Sequence, residues 1–178
     1  MKLIKIRHIG LVSLLILFVG CASLKVDSMV VEQTSFGFQH PATVALGVGA
    51  QSTGINPRSV TISPEAFREA VKKSLEKSAL FKSIVNEDIA DYVLKADLIF
   101  AGSHAGASMT SWVDVNWTLD ERASGENVWS AEISKEGHVG AFEAFNGMTR
   151  QYMALERGAQ ANINTALTQI GQLTIIAP

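Results

Sequence analysis

Residues 112–120 have the sequence WVDVNWTLD, in which apolar and polar side chains alternate from Val113 onward. Successive side chains of a β-strand point to opposite faces of its sheet, so this pattern predicts a strand with one buried and one wet face. Trp117 falls on the apolar face and is predicted to be a core residue. Trp112 falls on the opposite face, which makes it an exposed aromatic side chain.

Two flanking stretches alternate in the same way. Residues 92–100 are predicted to bury every second side chain, ending with Phe100, and residues 128–135 form a third strand. Ser124-Gly125 predicts a hairpin turn in which the glycine takes a positive φ. Residues 102–108 are predicted to be a flexible connection between the first two strands.

Two shorter strands and two helices complete the predicted fold. The strands cover residues 43–48 and 81–85. Ser63 and Pro64 suit the N-cap and first position of a helix that runs to about Ser78. A second helix is predicted over residues 153–173, with Gly171 in its C-cap region.

This order of elements predicts one α+β domain over residues 42–178. We expect a two-layer sandwich, with a mainly antiparallel sheet of 4–5 strands and two helices packed on one face. The length of 178 residues suits a single domain of this kind.

Charge and cysteine content exclude several classes of function. Residues 1–20 hold Lys2, Lys5 and Arg7 and no acidic residue, so 12 of the 15 basic and all 17 acidic side chains lie in the remainder, whose net charge is −5. An acidic body repels phosphate backbones, which argues against nucleic-acid binding. A single cysteine excludes an intramolecular disulfide or a cysteine-rich metal site.

The N-terminus has the features of a secretory signal. A basic stretch over residues 1–7 is followed by an apolar run from Ile9 to Val19. That run is too short for a permanent membrane-spanning helix, which needs about 20 apolar residues. The segment is therefore predicted to direct export rather than to remain as a span.

Phe18-Val19-Gly20-Cys21, at the end of the apolar run, resembles the bacterial lipobox. It departs from the pattern at Phe18, where leucine is usual. The resemblance implies a lipoprotein signal peptide over residues 1–20, acylation of Cys21 with fatty acids such as palmitate, and a lipidated tether over residues 21–41. Ala22, in place of aspartate, implies the outer membrane of a Gram-negative bacterium, with the body facing the periplasm. A plain signal peptide with a coincidental cysteine is the alternative.

The body resembles a loose group of small cell-envelope lipoproteins. The resemblance covers residues 42–173 and depends on short patterns: Ala79-Leu80-Phe81, Ala90-Asp91-Tyr92, and Gly125 followed by Val128-Trp129. The group includes lipoproteins that activate peptidoglycan synthases, auxiliary lipoproteins of lipid-transport ABC systems, and the periplasmic part of curli-secretion channels. It implies an accessory binding role and supplies no catalytic residues.

The residues themselves offer no catalytic or metal-binding motif. His40, His104 and His138 are widely spaced and are interpreted as solvent-facing loop histidines. Ser103 and His104 are adjacent, but neighbours on a strand point to opposite faces, which is wrong for a nucleophile and its base. We therefore predict a protein that is not an enzyme and has no metal and no cofactor.

The predicted function is that of a lipid-anchored accessory protein that binds another envelope component, with an envelope protein as its expected partner. The alternatives are a glycan- or lipid-binding lipoprotein and an envelope hydrolase or transferase. Two surfaces are candidates for the partner. One surrounds Trp112, and the other is the uncharged face of the second helix, at Gln160, Asn164 and Thr168.

Overall fold

The computed structural model describes residues 23–32, 38–47 and 61–177. The predicted signal peptide, Cys21, Ala22 and the end of the first predicted strand at Val48 lie outside these residues. The main elements, in chain order, are β1 (His40–Leu46), α1 (Pro64–Ser78), β2 (Phe81–Ile84), β3 (Tyr92–Ala105), β4 (Met109–Glu121), β5 (Asn127–Val139) and α2 (Gly147–Ile170).

The five strands form one open mixed sheet in the order β2-β1-β3-β4-β5. The three long strands make two antiparallel ladders, as predicted. In contrast, β1 runs parallel to both of its neighbours. The parallel pair of β1 and β2 is joined through α1, the kind of crossover that parallel strands require. The predicted α+β sandwich is confirmed.

Both helices cover the same face of the sheet. The ring of Phe67 on α1 lies 6.1 Å from that of Trp117, and the indole N–H of Trp117 donates to Asn162 on α2 over 2.9 Å. Trp117 is fully buried, as predicted. Asn162 also donates to the carbonyls of Val113 and Ile133. One buried amide therefore ties α2 to β4 and β5.

The long α2 helix approaches the sheet most closely at two glycines. A Cβ atom built on Gly137 of β5 would lie 2.0 Å from the carbonyl oxygen of Ala154 and 2.4 Å from the amide nitrogen of Gly158. Gly158 in turn faces Val113 and the backbone of Gly137. This crossing has no room for a side chain at position 137.

A β-bulge in β3 changes which side chains face the core. Leu98 pairs with Val115 and Phe100 pairs with Asp114, so Ile99 is an extra residue in the ladder. A bulge of this kind reverses the alternation of all residues beyond it. The prediction that Phe100 is buried is therefore wrong, because its side chain lies on the open face and is 45% exposed.

The strands are also longer than predicted. β3 continues through Ala105, so much of the predicted connection over residues 102–108 belongs to the ladder with β4. The predicted turn between β4 and β5 is confirmed, because Gly125 has a φ of 73°.

The N-terminal capping residues determine where the two helices begin. The side chain of Ser63 accepts from the amide of Ala66, and α1 begins at Pro64 as predicted. α2 begins six residues earlier than predicted, because the side-chain oxygen of Asn146 caps it by accepting from the amide of Met148 over 2.8 Å. Within the described chain, no helix is long and apolar enough to cross a membrane.

Part of the predicted tether is docked on the domain. Val26–Met29 form a 3₁₀ turn, and Met29 and Val31 are buried in the main core. The amide of Val31 donates to Ser74 on α1, and the side chain of Gln160 on α2 donates to the carbonyl of Val30. Residues 23–32 are therefore part of the folded body, because their apolar side chains complete the helical layer.

Candidate interaction surfaces

The open face of the sheet carries a pair of aromatic side chains. Trp112 is 40% exposed there, as predicted, and its partner across the ladder on β3 is Gly102. The ring of Phe100 lies over that glycine, since a Cβ built on Gly102 would be 2.4 Å from Cζ of Phe100. Gly102 therefore provides the space for the Phe100 ring, and the same glycine is the cross-strand partner of Trp112. We refer to Phe100 and Trp112 as the aromatic pair.

Polar groups surround the aromatic pair. Asp114, opposite Phe100, accepts from the hydroxyl of Ser134 over 2.5 Å. Glu136 lies opposite Trp112 on β5. The surface thus combines aromatic rings with carboxylate and hydroxyl groups, a combination that can contact a polar ligand having one apolar face.

The three α2 residues of the second predicted surface differ in accessibility. Gln160 is half-buried and its amide donates to Val30, so the docked segment of residues 23–32 covers part of it. Thr168 is half-buried and donates to the carbonyl of Asn164 over 2.7 Å. Asn164 is exposed at the edge of a shallow cavity of about 450 Å³. The available part of this surface is centred on Asn164.

His40 occupies an environment that the sequence did not indicate. It is fully buried in β1, with Nε2 3.0 Å from the carbonyl oxygen of Ile170 and its ring between those of Phe38 and Phe81. Burial lowers the pKa of His40, although the contact with Ile170 opposes this effect. The interpretation of His40 as a solvent-facing loop residue is wrong, because it lies between the sheet and the end of α2.

The other two histidines are exposed, as predicted, but lie on strands rather than in loops. His138 of β5 has Nδ1 3.3 Å from the hydroxyl oxygen of Thr110. Ser103 points to the helical face, where its Oγ accepts from Gln151, whereas His104 is exposed on the other face. The structure therefore does not bring Ser103 and His104 together as a nucleophile and base.

The loop between β5 and α2 carries exposed aromatic residues that the sequence analysis did not single out. Phe142 and Phe145 are 102% and 110% exposed, values typical of an extended chain. Between them, Glu143 accepts from the guanidinium of Arg157 and from the amide of Gly140. Arg157, and secondarily Gly140, hold the pKa of Glu143 at about 2. The only acidic side chain of this loop is thus directed back to α2.

The described part of the chain contains no candidate metal-binding site. Within residues 23–32, 38–47 and 61–177, no three His, Cys, Asp or Glu side chains are grouped so that they could hold a metal ion. The candidate sites that the structure does present are surfaces for binding: the aromatic pair, the Asn164 region and the loop with Phe142 and Phe145.

Comparison with known proteins places the fold among bacterial proteins. Protein XCC0632 from Xanthomonas campestris superposes with a TM-score of 0.57 at 13% identity, over 80% of this chain and 94% of that chain. The PelC dodecamer from Paraburkholderia phytofirmans superposes with a TM-score of 0.53 at 17% identity, over 77% of this chain and 92% of that chain. A Caulobacter crescentus chain provisionally named as a lipoprotein superposes with a TM-score of 0.50 at 15% identity, over 72% of this chain and 87% of that chain.

These similarities establish a shared fold. No protein-family model and no curated protein matches the chain.

Proposed function

We propose that this protein is a lipid-anchored accessory protein of the Gram-negative cell envelope that binds another envelope component and catalyses no reaction. The observation that carries the proposal is Phe18-Val19-Gly20-Cys21, placed directly after a basic and apolar export signal. Acylation of Cys21 with more than one chain would hold the protein stably at a bilayer, whereas one chain gives marginal binding. Ala22 favours the outer membrane and a periplasmic body.

The fold supports the accessory role. It is shared with bacterial proteins that include PelC and a chain named as a lipoprotein. The described residues offer exposed surfaces rather than a catalytic constellation, and the Ser103 and His104 pair is separated by the sheet. A partner protein is proposed to bind at Asn164, which is exposed on the part of α2 that follows Arg157 and has no charged side chain.

A glycan ligand is the second candidate, and the aromatic pair favours it. Phe100 and Trp112 are both exposed on the open face of the sheet, and Asp114 and Glu136 are their cross-strand neighbours with hydrogen-bond acceptors. Sugar rings have apolar faces and hydroxyl rims, which suit such a surface.

One crosslinking experiment separates the two candidates. The photoreactive residue p-benzoylphenylalanine is placed at position 164, at position 112, or at position 124 in the β4–β5 turn as a control, and living cells are irradiated. We expect a discrete protein adduct from position 164 and none from position 124. An adduct that forms only from position 112, and whose mass falls when muramidase digests the attached glycan, would favour the glycan candidate. The same products from all three positions would contradict a defined binding surface.

A further inference from the structure

The loop of residues 140–148, here called the Phe loop, presents an apolar tip to solvent. Phe142 and Phe145 have no contacts that shield them, and Met148 at the start of α2 is also exposed. Single exposed apolar residues are common, but grouped large ones mark a contact surface.

The Phe loop is held in its conformation by hydrogen bonds. The carboxylate of Glu143 accepts hydrogen bonds from the amide of Gly140 over 2.7 Å and from the guanidinium of Arg157 over 2.5 Å. The guanidinium of Arg150 donates to the carbonyl of Ala144 over 2.5 Å. These bonds keep the only carboxylate of the loop turned toward α2 and place a positive charge beside the loop. The two phenylalanine side chains remain fully exposed to solvent.

The docked segment of residues 23–32 approaches the start of α2 at its N-terminal end. Along the docked segment, Val30 contacts Gln160 and Lys25 contacts Glu156, so the chain moves toward the start of α2 as residue numbers fall. Cys21 is four residues before Lys25, a reach of at most about 14 Å. The start of α2 lies nine residues before Glu156, roughly 14 Å along the helix axis. A chain of that reach allows Cys21 to approach the end of the domain that carries the Phe loop.

We propose that the Phe loop inserts into the interface of the bilayer to which Cys21 anchors the chain. This inference rests on the lipid anchor of the proposed function. Aromatic side chains are stable at the level of lipid headgroups, and the positive charge of Arg150 favours anionic lipids there. Two points of attachment hold the domain in one orientation. In that orientation the β4–β5 turn and the Glu87–Ile89 turn, at the far end of the strands, face away from the membrane.

The test uses site-specific fluorescence in the full chain. A Phe145→Cys variant is produced in a Gram-negative host, labelled with the polarity-sensitive dye NBD and reconstituted into vesicles of phosphatidylethanolamine and phosphatidylglycerol. Lipidation blocks Cys21, so the introduced thiol takes the only label. The matched control is Ile89→Cys, since Ile89 is also an exposed apolar residue but precedes the opposite end of β3. That strand of 14 residues separates the two ends by roughly 45 Å.

We expect the label at position 145 to shift its emission to the blue, to be quenched by spin-labelled lipid and to be quenched several-fold less by iodide than the label at position 89. One label per chain with equal iodide quenching at both positions would overturn insertion and leave the anchor intact. Shielding from iodide without quenching by lipid would show that a protein, such as a second copy, covers the loop, and would also overturn it. Two labels per chain would show a free Cys21 thiol and overturn the anchor together with the insertion.

Discussion

Trp117 shows how one residue connects the sheet to both helices. Its ring is buried against Phe67 of α1, and its indole N–H donates to Asn162 of α2. We expect Trp117→Ala to lower the free energy of unfolding by about 3–5 kcal/mol, because it leaves a large cavity and an unpaired buried amide.

Chemical denaturation of both tryptophan variants measures this effect. Trp112→Ala is the control, because Trp112 is partly exposed and its loss is expected to cost about 1 kcal/mol or less. Equal losses for the two variants would contradict the different roles assigned to the two tryptophans.

His40 predicts a specific pH dependence of stability. Burial among aromatic rings lowers the pKa of His40 in the folded state, whereas the unfolded value is about 6.5. Below that value the unfolded state binds more protons than the folded state. The contribution of neutral His40 to the free energy of unfolding is therefore fully present above about pH 6.5 and decreases as the pH falls.

Denaturation between about pH 7.5 and pH 5 tests His40 when the wild type is compared with a His40 variant. The comparison is needed because burial also raises the pKa of Glu156, which affects stability in the opposite direction as the pH falls. Replacing the histidine by His40→Gln is expected to flatten the dependence in this range, whereas His104→Gln should leave it unchanged because His104 is exposed. A His40→Gln protein whose stability falls toward pH 5 as much as that of the wild type would contradict the assigned environment of His40.

At the scale of the elements, α2 crosses β5 so closely that position 137 has no room for a side chain. A side chain at position 137 would overlap the backbone of α2, so Gly137→Ala is expected to cost about 1–3 kcal/mol through displacement of the helix. Gly147→Ala, where the nearest atom is 3.8 Å away, should be neutral or slightly stabilising. Thermal melts of the two variants test this, and a Gly137→Ala protein as stable as the wild type would contradict the close crossing.

Sequence patterns predicted the elements whose residues carry their own signals. The alternation around Trp117 and the Ser63-Pro64 cap each depend on local chemistry, and both predictions are confirmed. Phe100 was misplaced because the bulge at Ile99 is set by pairing with β4, which strand alternation does not reveal. The early start of α2 depends on the cap at Asn146.

The candidate surfaces were predicted only in part. The alternation of β4 is enough to predict that Trp112 lies on the open face, and the structure agrees. The exposure of Phe100 is not predictable in this way, because it depends on the bulge at Ile99. The burial of His40 and the docking of residues 23–32 depend on contacts with α2 that are distant in sequence. The exposed pair in the Phe loop had a sequence signal, two phenylalanines in a short segment with one charge, but burial was needed to recognise it.

At the scale of the whole molecule, we propose a domain held at a bilayer by its N-terminus, with binding surfaces on one helix and on the open sheet. Residues 23–32 link these parts, because they connect the proposed anchor at Cys21 to α1 and α2 without a long flexible spacer in that stretch. The four residues from Cys21 to Lys25 can span at most about 14 Å.

Metabolic labelling with an alkyne fatty acid tests the central claim most directly. Cells that produce the wild-type chain or Cys21→Ser are labelled, the protein is isolated, and the alkyne is coupled to a fluorophore. The account predicts label on the wild-type protein and none on Cys21→Ser, because the sole thiol of the chain is at position 21. Label that persists on the Cys21→Ser protein, or a wild-type protein without label, would contradict the lipid anchor.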